Sequence, residues 1–149
     1  MILIAHRGNY QGRDVLKENT IDYVEAAIEA GFDVEVDVWY KDGKYFLGHD
    51  GPGEEIPLSY LERPSVWTHA KNLPGYVMLY RNPEVHVFWH DKDEFTFTSK
   101  GIKWAYSGII THDGVMVMPD YSLDLCYKIK SGQIRPLGVC SDDFGLIRT

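Results

Sequence analysis

The hydrophobic and polar positions of the first fifty residues predict a strand, a helix and a hairpin, in that order. An apolar run at 2–5 has the length of a buried strand, and apolar residues at 21–28 have helical spacing. From 33 to 40, valines alternate with other residues at the period of two that is typical of a strand. The dipeptide Asp42-Gly43 then predicts a tight turn into an antiparallel return strand.

The rest of the chain continues this alternation of short strands with few helices. Further strands are predicted at 66–71, 85–89, 115–118 and 136–140, a second hairpin at 94–106, and a helix at 123–130. The intervals are too short for a helix after every strand. We therefore expect a single α/β domain over residues 1–149. Its predicted fold is a reduced TIM-like (β/α) barrel of short parallel strands, in which loops and hairpins replace several helices.

Two carboxylates lie on the same face of the predicted strand at 33–40. Glu35 and Asp37 are two residues apart, so their side chains point the same way. Like charges at this spacing repel each other, and a bound cation or a shared proton is the usual reason to tolerate them. The alternative is an exposed strand face in an ordinary sheet. The apolar valines between them favour a buried strand and hence a metal site, with Mg²⁺ or Ca²⁺ preferred over zinc.

Four short motifs in this order resemble the glycerophosphodiester phosphodiesterase family, whose domain is a PI-PLC-like phosphodiesterase barrel. They are His6-Arg7-Gly8, Glu18-Asn19-Thr20, Glu35-Val36-Asp37-Val38 and His49-Asp50. Each motif alone is weak, and the combination covers roughly the first third of the chain. The chain is also much shorter than the family's usual barrel, so the resemblance is to a short, divergent member.

The resemblance implies a metal-dependent phosphodiester hydrolase and gives a role to eight residues. The acid and base are His6 and His49; the substrate-binding residues are Arg7, Asn19 and Lys71; the metal ligands are Glu35, Asp37 and His69. The cofactor it implies is a divalent cation, Mg²⁺, Mn²⁺ or Ca²⁺. The substrate it implies is a small-molecule phosphodiester.

Three of these assignments have a second interpretation. In the family the third core strand usually carries Glu-x-Lys, whereas this chain has His69-Ala70-Lys71. An imidazole suits Mn²⁺ or Zn²⁺ better than Ca²⁺, and the alternative for His69 is a packed or solvent-facing histidine. Asn19 is equally a candidate helix cap. Arg7 is either a phosphate clamp or a salt-bridge partner of Glu18, and both can hold at once.

Composition limits the partners of the chain. Its formal net charge of −7 argues against nucleic-acid binding. No apolar run reaches the ~20 residues of a membrane span, and the first residues carry no signal-peptide pattern, so we expect a cytoplasmic protein. The two cysteines, Cys126 and Cys140, are expected to be free thiols rather than a disulfide. Sheet surface left uncovered by missing helices could support a homodimer.

The sequence is also compatible with a second function. The shortened frame and the missing third glutamate also fit a catalytically decayed barrel that acts as a phosphate-ligand binding or regulatory module. The retention of both histidines and both strand carboxylates argues for catalysis, because a binding module has no chemical reason to keep them. A phospholipase-like enzyme is a weaker alternative, since the chain is acidic and has no basic amphipathic helix.

Overall fold

Strands dominate the computed structural model, which describes residues 1–148. In chain order the strands are β1 (Ile2–His6), β2 (Asp33–Lys41), β3 (Lys44–Leu47), β4 (Glu55–Ile56), β5 (Val66–Ala70), β6 (His86–Phe88), β7 (Phe95–Phe97), β8 (Lys103–Ala105), β9 (Gly114–Val117) and β10 (Gly138–Ser141). The helices are α1 (Ile21–Glu29), α2 (Leu58–Leu61), α3 (Leu73–Tyr80), α4 (Leu123–Lys130) and α5 (Gly145–Arg148), with a short 3-10 helix at Pro119–Tyr121.

All ten strands belong to one mixed sheet. Its centre is a parallel run in the order β6-β5-β2-β1-β10-β9-β8. The first and last strands, β1 and β10, are neighbours in the middle of this run. Strands β3 and β4 extend antiparallel from the end of β2, and β7 pairs antiparallel with β8. The two ends of the chain are therefore joined through the centre of the sheet.

The prediction of a reduced TIM-like barrel is wrong. The sheet is mixed and open: within residues 1–148, no ladder joins β6 to β8, the two ends of the parallel run. Both hairpins reverse the chain direction, which a barrel of parallel strands does not do. Strands β6, β7 and β8 have only three residues each, so they offer few backbone groups with which to close a cylinder.

The local predictions for the first hairpin and for the cysteines are confirmed. Asp42 and Gly43 both have positive φ, 51° and 78°, as the tight turn between β2 and β3 requires. Cys126 and Cys140 are both buried, free thiols. Among residues 1–148, no helix has the length and apolar character needed to cross a bilayer.

Strand β2 separates two layers of core. Its valines Val34, Val36 and Val38 are buried in the larger apolar cluster, together with residues of α1. The other face of the sheet packs a smaller cluster that includes Trp67, which is in register with Glu35. Because side chains alternate along β2, this second face is the one that carries both carboxylates.

Gly48, directly after β3, fixes the loop that carries His49. Its φ of 152° lies in the region that favours glycine, and an added Cβ would overlap the carbonyl oxygen of Gly51. We expect Gly48→Ala to lower the free energy of unfolding by about 1–3 kcal/mol, measured by urea denaturation.

Gly51→Ala is the matched control for this substitution, because a Cβ added at Gly51 would meet no atom within 4 Å and the backbone there is unstrained. This variant should stay within about 0.5 kcal/mol of the wild type. Equal effects of the two substitutions would show that the close approach at Gly48 does not constrain the loop.

Candidate functional site

Polar residues of three neighbouring central strands meet at one place. His6 at the end of β1 is in register with Glu35, and His69 in β5 is in register with Asp37. Strand β2 thus has a histidine beside each of its two carboxylates, one from each neighbouring strand. Residues that are in register on neighbouring strands point to the same face of the sheet, and so do Glu35 and Asp37, which are two positions apart. The four side chains therefore converge.

Glu35, Asp37 and His69 form a compact group of potential metal ligands. One donor atom from each residue lies within 4.8 Å of the others. Glu35 and Asp37 are 3% and 0% exposed. Asp37 Oδ1 is buried and accepts no hydrogen bond, although His69 Nδ1 lies 3.1 Å away. A buried carboxylate oxygen without a hydrogen bond is unusual, and a cation would satisfy it.

The ring of His69 is held in the orientation that a metal ligand needs. Its Nε2 lies 3.1 Å from the backbone oxygen of His90. A carbonyl oxygen only accepts, so Nε2 carries the hydrogen. In a neutral ring the lone pair is then on Nδ1, which faces Asp37 Oδ1 and lies 3.8 Å from Glu35 Oε1, whereas a protonated ring directs Nδ1–H at Asp37 Oδ1. Metal-binding histidines commonly donate their second nitrogen to a carbonyl in this way.

The two carboxylates are in different electrostatic states. Burial raises the pKa of Glu35, and the negative charge of Asp37 raises it further. Burial also raises the pKa of Asp37, but contact with His69 and the charges of Arg7 and Lys71 outweigh it, so the Asp37 pKa lies below its ordinary value. Without a cation, Glu35 is therefore protonated more readily than Asp37.

These residues fit a divalent cation. Two carboxylates and one imidazole are a donor set suited to Mg²⁺ or Mn²⁺, and three protein ligands leave further positions for water or substrate. Lys71 Nζ lies 3.6 Å from Asp37 Oδ1 and partly neutralises the carboxylates. The positive charge of Lys71 would thus also stabilise the two carboxylates as part of an ion-pair network.

Arg7 is fixed by both its backbone and its side chain. Its φ of 55° is in the left-handed region, which is uncommon for arginine and is often found at functional sites. Its Nε lies 2.9 Å from Asp37 Oδ2, and its Nη1 donates to Glu18 Oε2 at 3.2 Å. The guanidinium therefore lines the site and also pairs with Glu18, so that both interpretations of this residue are compatible with the structure.

Asn19 supports Asp37 rather than helix α1. Its Nδ2 donates to Asp37 Oδ2 at 3.0 Å, and its Oδ1 accepts from the Asp37 backbone N–H at 2.9 Å. Its φ is also 55°, which asparagine tolerates better than most residues. The N-cap position of α1 is occupied by Thr20. The substrate-binding role of Asn19 stays a prediction.

His6 is oriented by Asp142, a residue without an assigned role in the sequence motifs. The carboxylate Oδ1 lies 2.8 Å from His6 Nδ1. Burial raises the Asp142 pKa, but hydrogen bonds from His6, Tyr121 and Asn9 lower it by more, so this group is ionised and acts as the acceptor. His6 Nδ1 thus carries a hydrogen, and in the neutral ring the lone pair is on Nε2, which lies 3.9 Å from Glu35 Oε2.

His49 lies at the rim of the site. Its Nδ1 is 2.7 Å from Asp50 Oδ1, and its side chain is 41% exposed. Like His6, His49 is paired with a carboxylate, but its side chain is more exposed than that of His6. Both histidines nevertheless line the same cleft, and so does Lys71.

The cleft above these residues has a volume of about 380 Å³ and two kinds of wall. One wall carries the histidines, the cations and Glu35; the other is largely aromatic and apolar. The volume is within the range of small-molecule sites. All the residues assigned by the motifs lie at this cleft or directly behind it, although the motifs gave no indication of Asp142 or of the aromatic wall.

Comparison with protein-family models, with curated proteins and with solved structures finds no match to this chain. Arguments about its function therefore rest on the geometry of the cleft and on the resemblance of the four motifs.

Divalent metal should stabilise the folded protein through the Glu35, Asp37 and His69 group. Mn²⁺ at about 100 times its Kd adds about 2.7 kcal/mol, since it binds only the folded state. This corresponds to a rise in Tm of roughly 5–10 °C, measurable by calorimetry. The double variant Glu35→Gln, Asp37→Asn should lose the rise, and His69→Ala should reduce it.

A double variant of exposed helix carboxylates, Glu29→Gln with Asp124→Asn, is the control and should keep the full rise. A metal-induced shift that survives in both site variants would place the metal elsewhere.

Proposed function

We propose that this protein is a metal-dependent phosphodiester hydrolase acting on a small-molecule substrate in the cytoplasm. The observation that carries the proposal is the arrangement of His6: its Nδ1 is held by Asp142 and its Nε2 points toward the carboxylate group of Glu35. A histidine with one nitrogen fixed and the other free beside a potential cation site is arranged for proton transfer. The four sequence motifs support the same reaction.

The cation, when bound, would polarise a phosphoryl oxygen of the substrate and lower the pKa of a hydroxyl next to it. His6 Nε2 then accepts the proton of that neighbouring hydroxyl, and the resulting oxygen attacks phosphorus. His49 donates a proton to the departing alcohol. The product of this step is a cyclic phosphate, which water opens with the two histidine roles exchanged.

Arg7 and Lys71 contribute fixed positive charge to the phosphate. The guanidinium is immobilised by Asp37 and Glu18, and the ammonium group of Lys71 lies beside Asp37. Charges that are already oriented need no rearrangement when negative charge develops on the phosphoryl oxygens. Asn19 keeps Asp37 in position through its two hydrogen bonds.

A second candidate is a phosphate-binding module without turnover. The neutralisation of Asp37 by Arg7, Lys71 and a protonated His69 favours it, because the group can persist as an ion-pair network. The two functions separate in one assay, the release of nitrophenol with Mn²⁺ and with EDTA from 2-hydroxypropyl 4-nitrophenyl phosphate, which carries the hydroxyl that the proposed reaction needs. Metal-dependent release supports the hydrolase, and phosphate binding without release supports the module.

Loss of the His6–Asp142 pair should lower turnover strongly. We expect His6→Ala to reduce kcat by at least about 10²-fold, since proton transfer by a positioned histidine contributes this much. Asp142→Asn should also lower kcat, because a neutral asparagine amide orients the Nδ1–H group of His6 less strongly than the aspartate carboxylate does. The substrate KM should change little in both variants.

His112→Ala and Asp124→Asn are matched surface controls and should keep wild-type kcat. His49→Ala tests the proposed acid in the same way. A His6→Ala protein that turns over at the wild-type rate would remove His6 from the mechanism.

A further inference from the structure

The uncharged wall of the cleft is built from aromatic and other apolar side chains. Its residues are Phe88, Trp104, Tyr106, Val117, Met118 and Tyr121. Phe88 and Trp104 form a buried base, with ring centroids 4.4 Å apart in a stacked arrangement. The proposed reaction uses none of these side chains, so their role in the cleft is unexplained by it.

The aromatic base is continuous with the candidate metal site. The ring of His69 stacks on Phe88 with centroids 5.0 Å apart and an interplanar angle of 10°. A group attached to a phosphorus atom beside His69 therefore has this wall within reach. The candidate metal site and an apolar surface thus lie in one cleft of about 380 Å³.

Two tyrosines of this wall are open to solvent. Tyr106 and Tyr121 are 45% and 65% exposed. Each is held at one edge: the Tyr106 ring makes an edge contact with His90 at 5.4 Å, and the Tyr121 hydroxyl donates to Asp142 at 2.9 Å. Aromatic rings that are fixed in place and exposed at a cleft are suited to stacking against another flat ring.

His90 adds an unmet hydrogen-bonding requirement beside this wall. Both of its ring nitrogens are buried, and neither has a hydrogen-bond partner. The residue lines the same cleft as Tyr106. Buried polar atoms are nearly always paired, so a ligand or a water held by it is the expected partner of this ring.

We propose that the leaving alcohol of the substrate carries a flat aromatic ring, which lies against Tyr106 and Tyr121 and places a polar substituent at His90. This inference rests on the proposed function, since it assumes that the phosphate lies at Arg7 and Lys71. A phenol or a heteroaromatic alcohol meets both requirements of the wall. A simple alkyl alcohol would leave the aromatic faces uncovered and His90 without a partner.

The first test compares the binding of phenyl phosphate and methyl phosphate by calorimetry, in the presence of Mn²⁺, with inorganic phosphate as the reference. Phenyl phosphate should bind about 10-fold more tightly than methyl phosphate. Tyr106→Ala should remove most of this preference and leave the affinity for inorganic phosphate unchanged. Tyr127→Ala, an exposed tyrosine of α4 outside the cleft, is the matched control and should keep the preference.

The second test uses the three hydroxyphenyl phosphate isomers. At least one isomer should bind several-fold more tightly than phenyl phosphate in the wild type, and His90→Ala should abolish that gain. If no isomer gains affinity, or if the gain persists in His90→Ala, the role of His90 is overturned.

The outcomes distinguish this inference from the proposed function. Equal affinities for phenyl and methyl phosphate, with inorganic phosphate still bound, overturn the aromatic specificity and leave the phosphate site intact. A preference that survives in Tyr106→Ala also overturns it. Failure of all three phosphates to bind overturns the phosphate site itself, and the inference with it.

Discussion

The burial of two carboxylates side by side on β2 is the constraint on which the site depends. Glu35 and Asp37 are almost completely removed from water, and a buried charge needs partners that compensate for its lost hydration. Asp37 has such partners on every side, from Arg7, Asn19, His69 and Lys71. Glu35 has fewer, and its pKa is raised by burial and by Asp37. A cation between the two carboxylates would resolve this imbalance.

The same constraint explains the strained backbone nearby. Arg7 and Asn19 both adopt a positive φ, and both hold the same carboxylate oxygen of Asp37. The backbone N–H of Asn19 also donates to the carbonyl of Arg7 at 3.0 Å, which ties the two loops together. Strain of this kind persists only where the surrounding contacts hold it, and here the buried carboxylate provides them.

Local patterns predicted the parts of the structure that depend on neighbouring residues. The period of two in β2 predicted that Glu35 and Asp37 share a face, and the Asp42-Gly43 pair predicted the hairpin. Closure of the sheet was predicted wrongly, because it depends on pairing between distant strands, which no local period encodes. The partnership of His6 with Asp142 spans 136 residues, and the only sequence indication of it was that both residues follow predicted strands. The aromatic wall as a whole has no local pattern, because Phe88 ends β6 whereas Trp104 and Tyr106 lie in and directly after β8.

The most direct test of the central claim is an anomalous-diffraction measurement on crystals soaked in Mn²⁺. We predict one strong anomalous peak in contact with Glu35, Asp37 and His69 Nδ1. A peak at other residues, or none at this group at a saturating Mn²⁺ concentration, would contradict the metal site and leave the carboxylates as part of an ion-pair network.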